Sequence, residues 1–304
     1  MRADDIIDNV TADLIAAIEA GTDTWQMPWH TVATSSQPTN ADGRPYRGMN
    51  AWILSLTAAE RGWTSNSWAT YRTWQRHDAQ VRRGEKATRV LLWKPTKRTT
   101  TDEATGDDIE RRGLVCRAYS VFAAEQVDGC DLPAEATHRD TPEQVTSADA
   151  YFDLIGIDVA TGHNHACYRT AADRIEVPHL TQFNEPALYY STLAHEHVHA
   201  TGHDSRLARD LTGRFGSDAY AVEELVAELG AAFWCARFGL SPATRDDHTA
   251  YLAHWVRVLR EHPRVLLTVW SKAQLALDWL DRAAGAEAPA QDDAAGAEGH
   301  RQEQ

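Results

Sequence analysis

Cysteine is scarce in this sequence, and long apolar runs are missing. The 304 residues include four scattered cysteines, and no two of them form a C-x-x-C pair. We therefore interpret them as buried or incidental thiols rather than a disulfide framework. No apolar stretch approaches the roughly 18 residues that a membrane helix needs, and the chain starts without a basic, apolar leader. These absences predict a protein of the reducing cytoplasm with no membrane partner.

Positive charge is also in short supply. The chain has 30 Lys and Arg against 44 Asp and Glu, which gives a net charge of −14. That balance argues against a protein that binds nucleic acid over its whole surface. Between Arg44 and Arg98, however, twelve Lys and Arg face only three Asp and Glu, a local charge near +9. The sequence thus places one basic region inside an acidic chain.

The basic region is also rich in tryptophan. Seven of the eleven tryptophans lie between Trp25 and Trp93. Aromatic faces stack on unpaired bases while Arg and Lys contact phosphates, so this combination suits single-stranded rather than duplex nucleic acid. The alternative is that these aromatics form a core, as we expect for Trp52 and Trp93, under a solvated basic surface. The candidate contact residues are Arg44, Tyr46, Arg47, Trp68, Tyr71, Arg72, Trp74, Arg82, Arg83 and Lys86.

The second half contains the motif H-E-x-x-H at residues 195–199. Pro186 and Gly202 are typical of a helix start and a helix end, so the motif is predicted to lie on a helix. There, His195 and His199 share one face and could together hold Zn²⁺. Glu196 lies beside them and is the candidate general base, because it could take a proton from a metal-bound water.

A second helix is predicted after Ser217, with Glu224 and Glu228 four residues apart on one face, so that either carboxylate could be the third metal ligand while the other orients a liganding histidine. This arrangement resembles the gluzincin pattern of zinc peptidases, which implies Glu224 as the third metal ligand and Glu228 as the residue that orients a liganding histidine. Glu223 is expected to point away from that face. The alternative is that all three acids form a solvated helix surface. Mn²⁺ or Fe²⁺ could occupy the same ligands as Zn²⁺.

Periodicity along the chain predicts an α+β protein of two domains. We assign residues 1–129 to a small α+β nucleic-acid-binding domain, 130–146 to a linker, 147–282 to a mostly helical metal domain, and 283–304 to a disordered tail. Residues 67–74 are predicted to be helical. Residues 174–177 are a candidate edge strand along which a peptide could align, or an ordinary hairpin strand.

Several short motifs follow one another along the chain. The first half contains WQMPW at 25–29, GRPYRGMN at 43–50, WATY at 68–71, RGEK at 83–86 and YSVF at 119–122. The second half contains TGH at 201–203 and FGS at 215–217. Over residues 5–282 the chain resembles ArdC-type antirestriction proteins. His197 stands where an apolar residue is expected, so the peptidase face is expected to differ.

The resemblance implies an N-terminal domain that binds single-stranded DNA, joined to a zincin-like metallopeptidase domain. It also implies carriage on plasmids or phages, and protection of incoming DNA, as in conjugation, from host restriction. Three functions remain open: a single-stranded DNA-binding protein with a structural or vestigial metal site, a DNA-tethered hydrolase that cuts a partner such as a restriction enzyme, and a plain zinc peptidase. Further candidates are His248 and Tyr251 as oxyanion donors and His163, His165 and His203 as alternative ligands.

Overall fold

The computed structural model describes residues 3–21, 37–101, 108–130, 140–213, 217–242 and 248–286. The predicted α+β class is confirmed. The helices in the described ranges are α1 (Ala3–Gly21), α2 (Gly48–Arg61), α3 (Tyr71–Arg76), α4 (Pro142–Ile155), α5 (Pro186–Ala200), α6 (Asp218–Phe238), α7 (His248–Glu261) and α8 (Val265–Ala283). The strands are β1 (Thr39–Asn40), β2 (Ser67–Ala69), β3 (Gln80–Val81), β4 (Thr88–Thr101), β5 (Asp108–Ala123), β6 (Val127–Asp128), β7 (Asp158–Thr161), β8 (Cys167–Arg169) and β9 (Arg174–Val177).

The first half is built on a four-stranded sheet in the order β1-β2-β5-β4, beside the small β3-β6 pair. Helix α2 is tied to this sheet by Asn50, whose amide bridges the backbone N–H and carbonyl of Leu91 at 2.8 and 2.6 Å. We predicted a helix at residues 67–74, which is wrong in part, because β2 comes first and α3 begins only at Tyr71. Thr70 caps α3, its hydroxyl accepting from the Thr73 N–H at 3.2 Å.

The second half combines helices α4 to α8 with a three-stranded sheet in the order β7-β9-β8. Helix α4 starts at Pro142 behind a capping box between Thr141 and Gln144, so it occupies part of the predicted linker. Helices α5 and α6 approach closely at Gly230, where a Cβ atom would lie 2.7 Å from the Val198 side chain. That close approach matters because these two helices carry the candidate metal ligands.

The two halves share one apolar core. Trp52 of α2 meets Trp270 of α8 with ring centroids 5.9 Å apart. Helix α1 lies against the end of the chain: the Thr11 hydroxyl is 3.4 Å from the Pro263 carbonyl, and Glu19 pairs with Arg260 at 2.6 Å. The first helix therefore packs on α7 and the turn after it, rather than only on its own half.

Some sequence predictions fall on residues that are not described. The WQMPW motif at residues 25–29 and most of the predicted tail lie outside the described ranges. The same holds for the side chains of Trp93, His248 and Tyr251. Among the described helices, none is both long enough and apolar enough to cross a bilayer.

Candidate metal centre and nucleic-acid surface

Helix α5 brings the two motif histidines together. His195 and His199 lie one helical turn apart, and their Nε2 atoms are 3.1 Å from each other. His195 is almost fully buried, and His199 is half-buried. Both Nε2 atoms therefore face the same small volume at the surface of α5.

Helix α6 adds a carboxylate to this pair. Glu224 Oε2 lies 3.6 Å from His195 Nε2, and Glu224 Oε1 lies 3.6 Å from His199 Nε2. One donor atom from each of the three residues fits within 4.8 Å of the others. Two imidazoles and one carboxylate are a donor set that suits Zn²⁺ and related divalent ions.

Two further carboxylates lie behind the histidines. Glu228 Oε1 is 3.1 Å from His195 Nδ1, and Glu223 Oε1 is 3.4 Å from His199 Nδ1. Glu223 lies outside the group of metal donors, as expected, but it is not part of a solvated surface, because Arg209 holds its carboxylate on the far side of His199. Because each Nδ1 atom lies within 3.4 Å of a carboxylate oxygen, the Nε2 lone pairs are left for a cation.

The charges around the histidines favour an added cation. Burial by itself would raise the pKa of Glu224, but the hydrogen bond from His195, the charges of His199 and His195 and a hydrogen bond from Tyr220 outweigh it and hold that pKa at about 2. Glu196, Glu223 and Glu228 are also buried here, and Arg209 is the buried guanidinium among them. A cluster with this excess of negative charge fits a divalent ion.

A cavity opens in front of the three donors. Its volume is roughly 180 Å³, and its walls include Glu196, Cys167, Tyr168, Leu211 and Tyr220. The candidate base thus lies in the same cavity as the candidate ligands. Cys167 and Tyr168 belong to β8.

The strand beside the cavity is not the one we predicted. We proposed residues 174–177 as the edge strand, but β9 is the central strand, paired in parallel with β7 and antiparallel with β8. The prediction is wrong because a single sequence does not give the order of strands. Among the described strands, β8 forms the edge that borders the cavity.

His197 belongs to the core rather than to the cavity. It has no exposed surface, its Nδ1 lies 2.8 Å from the Leu193 carbonyl, and its ring packs on Phe152 with centroids 4.5 Å apart. The expected change of the peptidase face is therefore wrong, because residue 197 lies on the side of α5 opposite the ligands. Burial, which disfavours the charged imidazole, lowers the pKa of His197 to about 4.

The other candidate histidines are used elsewhere. His163 lies 3.7 Å from Glu176, and His203 is bonded to Ser205 at 2.8 Å. His165 is exposed. Within the described residues, none of the three belongs to a group that could hold a metal ion.

The aromatic residues of the first half are largely core. Tyr46, Trp68 and Trp74 are 3%, 0% and 2% exposed, so their ring faces cannot stack on a base in this conformation. Their polar groups are directed inward as well: Trp74 Nε1 donates to the Phe122 carbonyl at 3.0 Å. The prediction that these three residues stack on bases is wrong, because burying their large aromatic surfaces stabilises the core of the small sheet domain. Trp52 is buried as expected.

One candidate aromatic remains accessible. Tyr71 is 41% exposed, and it lines a shallow groove with Arg82, Arg83 and Phe122. The exposed basic candidates are Arg44, Arg72, Arg82, Arg83 and Lys86. Arg82 is partly engaged, since it pairs with Glu85 at 3.1 Å and bonds to the Glu125 carbonyl.

Arg47 is not part of this basic surface. Its guanidinium pairs with Asp278 of α8, and both side chains are mostly buried. The residue therefore connects the two halves, and a DNA phosphate would have to displace Asp278 to reach it. The position of Arg47 in the basic region of the sequence could not reveal this partner, because Asp278 lies far away along the chain.

Comparison with known proteins assigns each half to a family. Residues 4–122 match the N-terminal domain of anti-restriction factor ArdC, and residues 146–272 match a zincin-like metallopeptidase family. The chain is 41% identical over 281 residues to protein y4eC of Sinorhizobium fredii, covering 91% of each. It is 35% identical over 289 residues to DNA primase TraC of Escherichia coli, of which it spans 27%.

Solved structures give the same result. The metal-free crystal structure of the antirestriction protein ArdC from plasmid R388 has a TM-score of 0.75 at 39% identity, covering 92% of this chain and 98% of that one. The Mn(II)-bound structure of ArdC from R388 has a TM-score of 0.71 at 38% identity, covering 91% and 97%.

Proposed function

Because the chain belongs to the ArdC-type antirestriction proteins, we propose that it binds single-stranded DNA and protects incoming plasmid or phage DNA from host restriction. That role would place the protein in the cytoplasm, where such DNA arrives. We propose further that its second domain carries a peptidase-like metal site. The observation that supports this most is the meeting of His195, His199 and Glu224 in the cavity that also holds Glu196.

His195, His199 and Glu224 would hold the ion. The Mn(II)-bound structure of ArdC from R388 supports a divalent metal for this family, and the donor set suits Zn²⁺ as well as Mn²⁺. When bound, such an ion supplies Lewis-acid polarisation of a carbonyl and lowers the pKa of water.

In hydrolysis, the protein's own groups would move the proton. The Glu196 carboxylate would accept a proton from the attacking water and return it to the leaving amine. Glu228, 3.1 Å from His195 Nδ1, would hold that ring with Nε2 directed at the cavity. A peptide would lie extended beside β8, whose residues Cys167 and Tyr168 form the cavity wall.

The DNA surface that we propose is centred on Tyr71. Its exposed ring would stack on a base, while Arg83 in the groove and the exposed Arg72 and Lys86 would contact phosphates. Arg44 is a further exposed candidate. The buried Trp68 and Trp74 would support this surface from below rather than touch DNA.

A second candidate is DNA protection without proteolysis. The similarity to a segment of DNA primase TraC favours a role at DNA for this pair of domains. In that case the metal site would be structural, although a purely structural site does not require Glu196. A restriction enzyme is the protein substrate to consider if the site is hydrolytic.

The test separates these candidates with Glu196→Gln, which should preserve metal binding. Unmodified plasmid would be delivered into a restricting host that expresses either form. Loss of protection with the variant supports a hydrolytic role, and full protection restricts the function to DNA binding. Filter binding of an oligonucleotide at two salt concentrations tests the DNA part, because phosphate contacts require affinity to fall as salt rises. A salt-independent result would contradict it.

A further inference from the structure

We propose that Arg209 and Glu223 act as a positioning pair for His199 and thereby set the affinity of the metal site. The inference rests on the proposed metal site and does not depend on peptide hydrolysis. Neither residue is a candidate ligand, and neither lies on the ligand face expected from the sequence. Both are at least nine-tenths buried.

Arg209 is bound to both helices of the site. Its Nη2 and Nε atoms donate to Glu223 of α6 at 2.7 and 3.1 Å. Its Nη2 also donates to the Val198 carbonyl at 2.6 Å, and its Nη1 donates to the Thr201 hydroxyl at 2.7 Å, both at the end of α5. The guanidinium therefore fixes the Glu223 carboxylate relative to the helix that carries His199.

The chain leaves room for this guanidinium. Gly202 comes just after Thr201, the residue that caps the end of α5, and a Cβ atom there would lie 3.1 Å from Arg209 Nη2 and 2.9 Å from the Leu211 side chain. The Gly202 carbonyl also accepts a hydrogen bond from the Arg209 N–H at 2.9 Å. The absence of a side chain at Gly202 therefore leaves room for the guanidinium of Arg209.

Glu223 connects the arginine to the histidine through a single oxygen. The Oε1 atom that accepts from Arg209 Nη2 at 2.7 Å also lies 3.4 Å from His199 Nδ1. A carboxylate held there directs Nδ1–H toward itself and leaves the Nε2 lone pair for the ion, which increases the ligand strength of the imidazole. Glu228 occupies the corresponding place behind His195. Each histidine then has a carboxylate behind it, and the carboxylate behind His199 is held by the buried guanidinium of Arg209.

The alternative is that Arg209 merely joins α5 to α6. The two roles differ in what they do to metal affinity, because a joining role acts without Glu223. If Arg209 acts through Glu223, substituting Arg209 should have no further effect on metal affinity in a protein whose residue 223 is no longer a carboxylate that accepts the hydrogen bond from His199.

The experiment measures dissociation constants for Zn²⁺ and Mn²⁺ by chelator competition on the full chain. Glu223→Gln should weaken binding about tenfold or more, the usual effect of removing such a partner. Glu228→Gln should do the same through His195. The matched control is Glu60→Gln, which removes an exposed carboxylate of α2 and should change nothing.

The coupling is tested with Arg209→Lys, which keeps the charge but cannot form the forked contacts. Alone it should weaken metal binding, and in the Glu223→Gln background it should have little further effect. Equal effects in both backgrounds would overturn the proposal, as would a Glu223→Gln protein with wild-type affinity. Thermal unfolding of the metal-free proteins shows whether a loss of metal affinity is due to misfolding. If Glu224→Gln binds metal as well as wild type does, the proposed metal site itself is wrong.

Discussion

Trp52 and Trp270 meet at a tilted angle of 50° with their ring centroids 5.9 Å apart, and each comes from a different half of the chain. Both side chains are almost fully buried. Two domains that can be assigned to separate families therefore share a continuous apolar core. This contact distinguishes the molecule from two modules joined by a flexible linker.

Trp270→Ala is expected to destabilise both halves together. Removing a buried tryptophan typically costs about 3–5 kcal/mol, and here the cavity would open between α2 and α8. Urea unfolding followed by fluorescence and by circular dichroism should show one transition at lower urea. Trp270→Phe, which keeps a ring, should lose less. Two separate transitions, of which only that of the second half of the chain is shifted, would show that the halves unfold independently.

Tyr71→Ala is expected to weaken binding of an oligonucleotide by about 1–3 kcal/mol, the usual value of one base-stacking contact. Tyr71→Phe keeps the ring face and should bind nearly as well as wild type. Fluorescence anisotropy with a labelled single strand measures both. Equal affinity of the alanine variant and wild type would remove Tyr71 from the proposed surface.

Arg83 and Arg47 are expected to behave differently on substitution to alanine. Arg83→Ala should reduce the slope of log affinity against log salt concentration by about one contact, because the side chain is exposed in the groove. Arg47→Ala should leave that slope unchanged and lower stability by about 1.5–3 kcal/mol, because it leaves the mostly buried carboxylate of Asp278 without its charged partner. The opposite outcome would mean that Arg47 leaves Asp278 when DNA binds.

His197→Leu is expected to stabilise the protein under mildly acidic conditions. In the folded chain burial lowers the pKa of His197 to about 4, whereas an unfolded histidine titrates near 6.5. The unfolded state therefore binds more protons between these values, and wild-type stability falls as pH falls through that window. Leucine does not titrate, so the variant lacks this loss of folding free energy, which amounts to about 2 kcal/mol at pH 5. Urea unfolding at pH 7 and pH 5, with chelator present, should show the variant gaining on wild type. A pH-independent difference would contradict the buried neutral state.

The sequence was most informative where spacing along one helix determines geometry. A four-residue separation places His195 and His199 on one face of α5 whatever surrounds it. The assignment of Glu224 came from the resemblance to the gluzincin pattern. Glu223 and Arg209 could not be assigned in this way. Their roles depend on how α5, α6 and the segment between them pack, and a single sequence does not encode that packing locally.

The aromatic residues show the opposite limit. Trp68 and Tyr71 are three residues apart in one motif, yet one is buried and the other is exposed. The difference arises because β2 ends at Ala69, so Trp68 alternates into the sheet core while Tyr71 starts a surface helix. Composition could identify the region that carries the basic and aromatic residues, but the point at which β2 ends and α3 begins decides which aromatic rings reach solvent.

The packing of α1 on the end of the chain has a consequence for synthesis on the ribosome. Thr11 and its partner Pro263 are 252 residues apart. At about 5–20 residues per second, α1 would wait on the order of 10–50 s for the surface that covers it. Its apolar residues Ile6, Ile7 and Leu14, all buried in the finished fold, must be sheltered meanwhile. Chaperone dependence during translation should therefore be concentrated at the N-terminus, and a chain truncated before α7 should aggregate through its first helix.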